Sequence, residues 1–432
     1  MPRLIGREAE ITALRAAYAA ATSAPAAHTL VITGAAGSGK TALTSALEDH
    51  ATPAVFVLRT SALPFDRVLP FALLERLGSD LHARLERTTR ERPVLVVIRD
   101  TQFADGESLA SIAAYRRALA DRPLFVVFTT DDDEHAATLH ADTSIALHGL
   151  DARSAEELAR EQYPQASQSV LDAIVANGRG MPYEIITIAR AARRRGTTNP
   201  EAVDLSSGAA IAKELAALPS QQRSGLQLLS LLSEPDEPGL YGIEPIEGLQ
   251  LDHALTSAAV LETIAMKIPL RRRIISALER RGARTLRERL VLAEQVFASG
   301  DRALAQRVLL DLAFVAAAER ASRAVVWAAE RHLEIGEPPD DRLIDFYSNF
   351  FAALMDTHAF TRAESVAAHA LSEAQHRGLR GLGSLAAHLV QAQWSVERPE
   401  AARASYERYA HALEDPHDLE LLREAAPWLN AV

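Results

Sequence analysis

The clearest chemical signal in this chain is a glycine-rich segment that ends in a lysine and a threonine. It fits the pattern G-x-x-x-x-G-K-[ST] at every fixed position, and its residues are Gly34, Ala35, Ala36, Gly37, Ser38, Gly39, Lys40 and Thr41. Glycines let the backbone wrap a polyphosphate, the lysine reaches the terminal phosphates, and the threonine hydroxyl ligates Mg²⁺. The segment predicts a phosphate-binding loop, with the adjoining Ala42 among the nucleotide contacts.

Lys40 is one of only three lysines among 432 residues, and the others are Lys213 and Lys267. The chain carries nearly all its other positive charge as arginine. A guanidinium is planar and broad, whereas an ammonium is a compact point charge. A lysine kept at this position therefore indicates that the compact cation is needed there.

The flanks of the loop predict the elements that position it. Residues 29–33 form an apolar run typical of a buried parallel strand, and residues 41–49 have helical spacing. Further strands are predicted at 55–58, 93–98, 124–128 and 144–147. Helices are predicted at 7–21, 70–85 and 107–119. This alternation predicts an α/β P-loop NTPase domain with a parallel five-stranded sheet, whose strands bind the nucleotide at their carboxyl ends.

After residue 150 the sequence predicts helices. Ser154 and Glu157 have the spacing of a capping box that opens one of them. Other helices are predicted at 168–176, 183–195 and 208–232, and a turn-rich break at 234–248. We expect four regions: the NTPase domain at 1–150, a helical lid at 151–205, a winged-helix-like domain at 206–290, and TPR-like helical repeats at 291–432.

The last region contains a weak internal repeat. Residues 322–330 are echoed at 361–369, an offset of 39, and residues 400–406 follow at nearly the same interval. Alanines at fixed positions let paired helices approach closely, as in tetratricopeptide-type stacks, which bind partners on a concave face. An ordinary helical bundle enriched in alanine is the alternative.

Composition excludes several classes of protein. The chain has no cysteine, so disulfides and thiolate metal sites are excluded, and its histidines lack ligand spacing. The net charge of −11 disfavours a broad nucleic-acid surface. No apolar run reaches the roughly 18 residues that a membrane span needs, and the N-terminus lacks a signal core. We expect a cytoplasmic protein without a structural metal.

Several segments together resemble a known family. Residues 4–10, with Gly6 and Arg7, resemble the opening segment of STAND-type P-loop ATPases. The match is most similar to the large ATP-binding LuxR-type (MalT-like) bacterial transcriptional regulators. Gly180-Met181-Pro182 resembles the Gly-x-Pro element of their lid. The resemblance implies ATP or ADP with Mg²⁺, places Gly6 and Arg7 near the adenine, and has Pro182 touch the nucleotide.

Two positions depart from that family. Its third strand usually ends in two acids, but Arg99 and Asp100 stand here, and Asp131 replaces the usual arginine after the fourth strand. The resemblance gives Asp100 and Lys40 the catalytic roles, and Thr41 and Asp100 the Mg²⁺. An arginine cannot bind Mg²⁺. Either Arg99 and Asp131 are a swapped pair at the nucleotide, with Asp131 as the acid near Mg²⁺ and Arg99 as the phosphate-facing cation, or the site has decayed.

Three functions are compatible with these features. The first is an ATP-dependent signalling switch, a transcriptional regulator or a protein associated with one, with slow or impaired ATP hydrolysis. The second is a non-hydrolysing ATP-bound scaffold whose repeats bind a partner protein. A small-molecule kinase is disfavoured by the long helical half. For the switch we expect a protein partner or small-molecule inducer on the repeats and an ATP-dependent oligomer. Since no helix-turn-helix precedes Val432, we expect no direct DNA binding by this chain alone.

Overall fold

The computed structural model describes residues 4–23, 26–51, 54–78, 80–232 and 254–426. By its internal contacts the chain divides into two units, Met1–Leu270 and Arg271–Val432. The turn-rich break predicted at 234–248 lies outside the described residues. The division into four regions stays a prediction.

The first unit contains a five-stranded sheet. Its strands are β1 (His28–Gly34), β2 (Phe56–Ser61), β3 (Val94–Arg99), β4 (Leu124–Thr130) and β5 (Thr143–Leu147). They lie in the order β2-β3-β4-β1-β5, and every neighbouring pair is parallel. The predicted parallel α/β sheet is confirmed. Because β1 and β4 are neighbours, and β3 lies next to β4, the segments that follow these three strands meet at one edge.

Helices cover both faces of this sheet. They are α1 (Glu8–Ser23), α2 (Lys40–His50), α3 (Ala72–Leu77), α4 (Leu81–Glu91), α5 (Gly106–Ala118) and α6 (Asp133–Thr138). One apolar core lies between the sheet and α1 and α2, and the other between the sheet and α3 to α5. Strand β4 is buried along its whole length, and each fully buried large apolar side chain contributes roughly 1.5–3 kcal/mol. The single helix predicted at 70–85 is wrong, because Gly78 with φ +107° ends α3.

Helices continue the first unit beyond the sheet. They are α7 (Ala152–Gln162), α8 (Gln168–Gly178), α9 (Pro182–Arg194), α10 (Ser207–Ala217), α11 (Ser220–Ser230) and α12 (Ala254–Glu262). The predicted capping box at Ser154 is wrong: Asp151 caps α7, and its side chain accepts the Ser154 N–H at 2.9 Å. The helix predicted at 208–232 is two helices, because Leu218 and Pro219 interrupt it.

Helix α13 (Lys267–Arg281) spans the boundary between the units. The second unit continues with α14 (Leu286–Ser299), α15 (Arg302–Ala318), α16 (Ser322–Ile335), α17 (Asp340–Asp356), α18 (Phe360–His376), α19 (Gly383–Ser395), α20 (Pro399–Ala412) and α21 (Pro416–Glu424). From α14 onward each helix packs on the next, and α15, α17, α19 and α21 also contact one another in succession. This is the packing of a stack of helix pairs.

Three turns repeat in this stack. Arg320, His358 and Glu397 each adopt a positive φ of 57–60° immediately before the N-cap residue of α16, α18 and α20. The N–H of the next residue bonds to the carbonyl five positions back, as in a Schellman motif. These turns fall at nearly the interval of the sequence repeat, so the helical repeat is confirmed. Among the described residues, no helix is both long and apolar enough to cross a membrane.

Candidate nucleotide site

The glycine-rich segment forms a loop between β1 and α2. Gly39 is the N-cap of α2, adopts φ +104°, and leaves the helix start without a side-chain cap. Free backbone N–H groups at a helix N-terminus, together with the helix dipole, favour an anion. Gly34, with φ +151°, is the first residue of the loop. A Cβ at Gly34 would lie 2.7 Å from Ser38 Oγ and 2.8 Å from the Leu147 carbonyl oxygen. The backbone fold of this loop therefore requires glycine at Gly34.

Lys40 is buried and lies across the loop. Its Nζ donates to the carbonyl oxygens of Gly34, at 2.6 Å, and Ala35, at 3.2 Å. Burial lowers the pKa of Lys40, and the charges of Asp131 and Asp100 oppose that change. Among the described residues, the acceptors within hydrogen-bond distance of the ammonium are both neutral carbonyls, and a phosphate oxygen is a stronger partner than a carbonyl.

Asp100 follows β3 and adopts a left-handed conformation with φ 57°. Its N–H donates to Thr129 Oγ1 at 3.1 Å, and Thr101 Oγ1 donates to the Thr129 carbonyl at 3.1 Å. These two bonds attach the end of β3 to β4. Burial raises the pKa of Asp100; Lys40 opposes the rise and Asp131 adds to it. Asp100 therefore lies within the electrostatic reach of Lys40.

Asp131 is exposed and directly follows β4. The sheet register pairs Thr130 with Thr33, so Asp131 emerges beside Gly34. It acts electrostatically on both Lys40 and Asp100. The structure therefore brings Lys40, Asp100 and Asp131 together at one edge of the sheet, as their positions after neighbouring strands predict.

Arg99 turns toward α2. Its Nε donates to Thr44 Oγ1 at 3.1 Å, one terminal nitrogen lies 3.4 Å from Ser45 Oγ, and the same nitrogen forms an ion pair with Glu48. Among the described residues, every hydrogen bond and ion pair of the Arg99 side chain goes to α2. The Arg99 half of the swapped-pair hypothesis gains no support from these contacts, and the hypothesis stays a prediction.

Arg7 is buried against the loop. One terminal nitrogen donates to the carbonyl oxygens of Ser38, at 3.0 Å, and His148, at 2.6 Å, and the other bonds to Glu10 at 3.0 Å. The preceding Gly6 has φ +67° and packs on Ser154. The guanidinium thus contacts protein carbonyls behind the loop.

The start of helix α9 also reaches the loop. Pro182 is the first residue of α9, and the N–H of Tyr183 donates to the Gly37 carbonyl at 3.2 Å. Gly180 is fixed from the other side, because its carbonyl accepts the Leu150 N–H at 2.7 Å. The structure therefore places Pro182 one residue from a direct contact with the loop.

The site residues fit a nucleotide and its cation. Ser38 Oγ is buried and lacks a hydrogen-bond partner among the described residues. Thr41 is exposed at the start of α2, with its side chain accessible to a cation. The Ser38 hydroxyl can donate to a phosphate oxygen, and the Thr41 hydroxyl supplies an oxygen ligand of the kind that Mg²⁺ prefers. The remaining residues of the predicted set are loop backbone at Ala35 and Ala36, and Ala42 in the first turn of α2.

Four contributors were missed by the sequence analysis. They are the carbonyl of His148, the N–H of Tyr183, the hydroxyl of Thr129 and the carboxylate of Glu48. Two of them act through the backbone, which gives no side-chain signal. The contribution of Glu48 could have been predicted in principle, because Glu48 lies eight residues after Lys40 and so about two turns further along the same helix.

Comparison with known proteins concerns the part of the site that contains Arg7 and the glycine-rich loop. Residues 3–84 match the AAA ATPase domain family. That match includes Arg7 and the whole loop, and it ends before β3 and thus before Asp100 and Asp131. The match thus covers the segment that contains the glycine-rich loop and Lys40.

No curated protein matches this chain. Among solved structures, a STAND protein with a tetratricopeptide repeat sensor from Pyrococcus horikoshii is 16% identical, with a TM-score of 0.46, over 98% of this chain and 73% of its own. Cdc6p from Pyrobaculum aerophilum is 14% identical, with a TM-score of 0.38, over 65% and 87%. Domain III of the replication initiation protein DnaA from Thermotoga maritima is 17% identical, with a TM-score of 0.33, over 46% and 88%. We draw no inference from likenesses at this level.

Proposed function

We propose that this chain is an ATP-binding signalling switch of the STAND ATPase type, which acts as a transcriptional regulator or with one and hydrolyses ATP slowly. The observation that carries the proposal is the contact between the phosphate loop and the lid, from the Tyr183 N–H to the Gly37 carbonyl. A nucleotide in the loop is then next to the element that must move in a switch. A ligand shifts a conformational equilibrium only through such differential contacts.

The chemistry follows from the residues at the sheet edge. Mg²⁺ with ATP would supply an electrophilic phosphorus and neutralise phosphate charge. Lys40 would bind the terminal phosphates through its ammonium, and the N–H groups at the start of α2 would bind them through the backbone. Thr41 and Asp100 would hold the cation, and Asp100 would also orient the attacking water. Gly6, Arg7, Asp131 and Pro182 complete the proposed nucleotide site.

Slow hydrolysis is proposed because of Arg99. It occupies a position where the resembling family has an acid, and its contacts with Thr44, Ser45 and Glu48 commit it to α2. Asp100 is then the only acid at the end of β3. In-line phosphoryl transfer depends on accurate positioning, so one missing acid slows it strongly.

A non-hydrolysing scaffold is the second candidate. The Arg99–Glu48 ion pair favours it, because a charge-reversed residue that is paired with a largely buried counter-ion has a structural use. In that case ATP would be bound and retained, and the helical repeats would bind the partner protein. The two candidates differ only in whether bound ATP turns over.

The remaining expectations belong to the same proposal. The stacked helices of the second unit would take a protein partner or a small-molecule inducer, as helical repeats commonly do. The ATP-bound chain would form an oligomer and act in the cytoplasm, and it would not bind DNA by itself.

An equilibrium titration with a fluorescent ATP analogue and Mg²⁺ tests the proposal. We expect saturable binding that falls at least 100-fold in Lys40→Ala. Lys267→Ala is the matched control, because Lys267 is exposed and distant in sequence from the loop, and it should bind like the unchanged chain. Binding that is the same in both variants would contradict the proposal.

A further inference from the structure

Two consecutive carbonyl groups of the phosphate loop accept hydrogen bonds from donors outside the loop. The Gly37 carbonyl accepts the N–H of Tyr183 in the lid, and the Ser38 carbonyl accepts the buried guanidinium of Arg7. The two donors lie far apart in the sequence: Arg7 precedes β1, and Tyr183 follows β5. Both act on the loop and not on the sheet beneath it.

A trans peptide unit is planar, with its C=O and N–H pointing in opposite directions. The Gly37 carbonyl shares its plane with the Ser38 N–H, and the Ser38 carbonyl shares its plane with the Gly39 N–H. A donor that fixes the Gly37 carbonyl therefore fixes the Ser38 N–H, which donates to the Ala35 carbonyl at 3.1 Å and closes a turn of the loop. A donor that fixes the Ser38 carbonyl fixes the N–H of Gly39, the N-cap of α2. All peptide bonds in the described chain are trans. Glycines at both flanks make these planes intrinsically free to rotate, so external fixation has an effect.

We propose that Arg7 and the Tyr183 N–H are positioning groups for phosphate binding, so that lid docking and nucleotide binding strengthen each other. Arg7 orients the Gly39 N–H for phosphate, and the Tyr183 N–H holds the turn that the Ser38 N–H closes with the Ala35 carbonyl. The inference rests on the proposed function and deepens it. The guanidinium of Arg7 is held in place because it also donates to the carbonyl oxygen of His148 and to the carboxylate of Glu10. Gly180, three residues before Tyr183, accepts the Leu150 N–H at 2.7 Å, which attaches the start of α9 to the segment after β5.

The coupling must be reciprocal. If the docked lid improves nucleotide affinity by some factor, bound nucleotide favours the docked lid by the same factor. One hydrogen bond of this kind is worth about a three- to tenfold change in an equilibrium constant. Arg7 differs from Tyr183 in one respect: it lies outside the lid, so its loss should weaken nucleotide binding without disconnecting α9 directly.

Two pairs of variants separate the effects of the Tyr183 N–H and the Arg7 guanidinium from the effects of substitution in general. Tyr183→Pro removes the N–H, and Tyr183→Ala removes the same side chain but keeps the N–H. Proline is tolerated in the first turn of a helix, where Tyr183 lies. Arg7→Leu removes the guanidinium, and Arg15→Leu is its control, because Arg15 is exposed on α1.

Nucleotide affinity and hydrogen exchange of the α9 amides are measured for all four variants and the unchanged chain. We expect three- to tenfold weaker binding in Tyr183→Pro than in Tyr183→Ala, and in Arg7→Leu than in Arg15→Leu. Nucleotide should slow exchange in α9 of the unchanged chain and of Tyr183→Ala, but not of Tyr183→Pro. A purely structural role for the contact does not predict that selective loss.

Equal affinities within each pair, or nucleotide-dependent protection of α9 that survives in Tyr183→Pro, would overturn the inference while leaving the proposed function intact. If Tyr183→Pro unfolds, the Arg7 pair decides by affinity alone. Failure of the unchanged chain to bind nucleotide would remove the proposed function, and the inference with it.

Discussion

Arg99 at the end of β3 and Glu48 in α2 form an ion pair in which both side chains are largely buried. Thr44 Oγ1 and Ser45 Oγ accept further bonds from the same guanidinium. The pair joins the helix that follows the phosphate loop to the end of β3, directly before Asp100. A charge that looks misplaced in the sequence is thus neutralised within the domain.

The first prediction concerns this pair. Glu48→Gln should lower the free energy of unfolding by about 1–3 kcal/mol, because it leaves a largely buried guanidinium without its counter-ion. A double-mutant cycle with Arg99→Met should give a coupling of about 1 kcal/mol or more. The measurement is denaturant unfolding of the four proteins. The same cycle between Arg99 and Asp131, read as stability and as ATP affinity, should give a coupling near zero. A larger coupling of Arg99 to Asp131 than to Glu48 would support the hypothesis that Arg99 and Asp131 are a swapped pair.

The second prediction compares two glycines of the loop. Gly34→Ala should abolish nucleotide binding and cost about 2 kcal/mol or more of stability, because its Cβ would collide with Ser38 and with the Leu147 backbone. Gly39→Ala meets open space and adds only the strain of a positive φ, about 1–2 kcal/mol. Binding titrations and thermal unfolding of both variants check this. Equal behaviour of the two would show that the loop differs from the structure described.

The third prediction concerns Asp100, whose pKa is raised by burial. A group with a raised pKa in the folded state favours folding below its unfolded pKa, and that contribution is lost as pH rises through the folded value. Asp100→Asn should therefore raise stability at pH 7, and the gain should disappear near pH 3.8 and below. The same variant should reduce ATP hydrolysis about 100-fold. Thermal unfolding at several pH values and a turnover assay measure the two effects. A variant that is less stable at pH 7 would contradict the assignment of burial as the dominant cause.

The fourth prediction concerns acid sensitivity in the second unit. Burial lowers the pKa of His388 to about 4, and its ring stacks 4.2 Å from Phe351. Since the folded pKa is depressed, the stabilisation is complete above about 6.5 and is lost as pH falls toward 4, on the order of 3 kcal/mol in full. His388→Leu should flatten the dependence of unfolding on pH in this window. His376→Leu, at an exposed position, is the control and should leave it unchanged. An equal effect of both substitutions would refute this.

Much of the first unit was predictable because its signals are local. Parallel strands that are buried on both faces appear as apolar runs, which is why β1, β3 and β4 were placed within one or two residues. The spacing of the glycines and the lysine predicts the phosphate loop. By the same logic Arg99 and Asp131 were expected near each other, because they follow neighbouring strands, but the side chain of Arg99 contacts α2.

The errors and omissions have physical causes as well. Gly78 breaks the helix predicted at 70–85 through a positive φ that residue type alone allows but does not demand. Asp151 was a better cap than Ser154 because its carboxylate reaches the third N–H of α7. The Arg99–Glu48 pair and the Tyr183 N–H depend on how α2 and α9 pack, which is a tertiary property.

A single-turnover assay tests the central claim most directly. The unchanged chain, in excess over labelled ATP with Mg²⁺, is compared with Lys40→Ala and Lys267→Ala, and bound and hydrolysed nucleotide are both read. We predict that ATP binds and converts slowly to ADP, that Lys40→Ala abolishes both, and that Lys267→Ala changes neither. Bound ATP that remains intact would contradict the switch and support the scaffold, and binding that survives Lys40→Ala would contradict the nucleotide site itself.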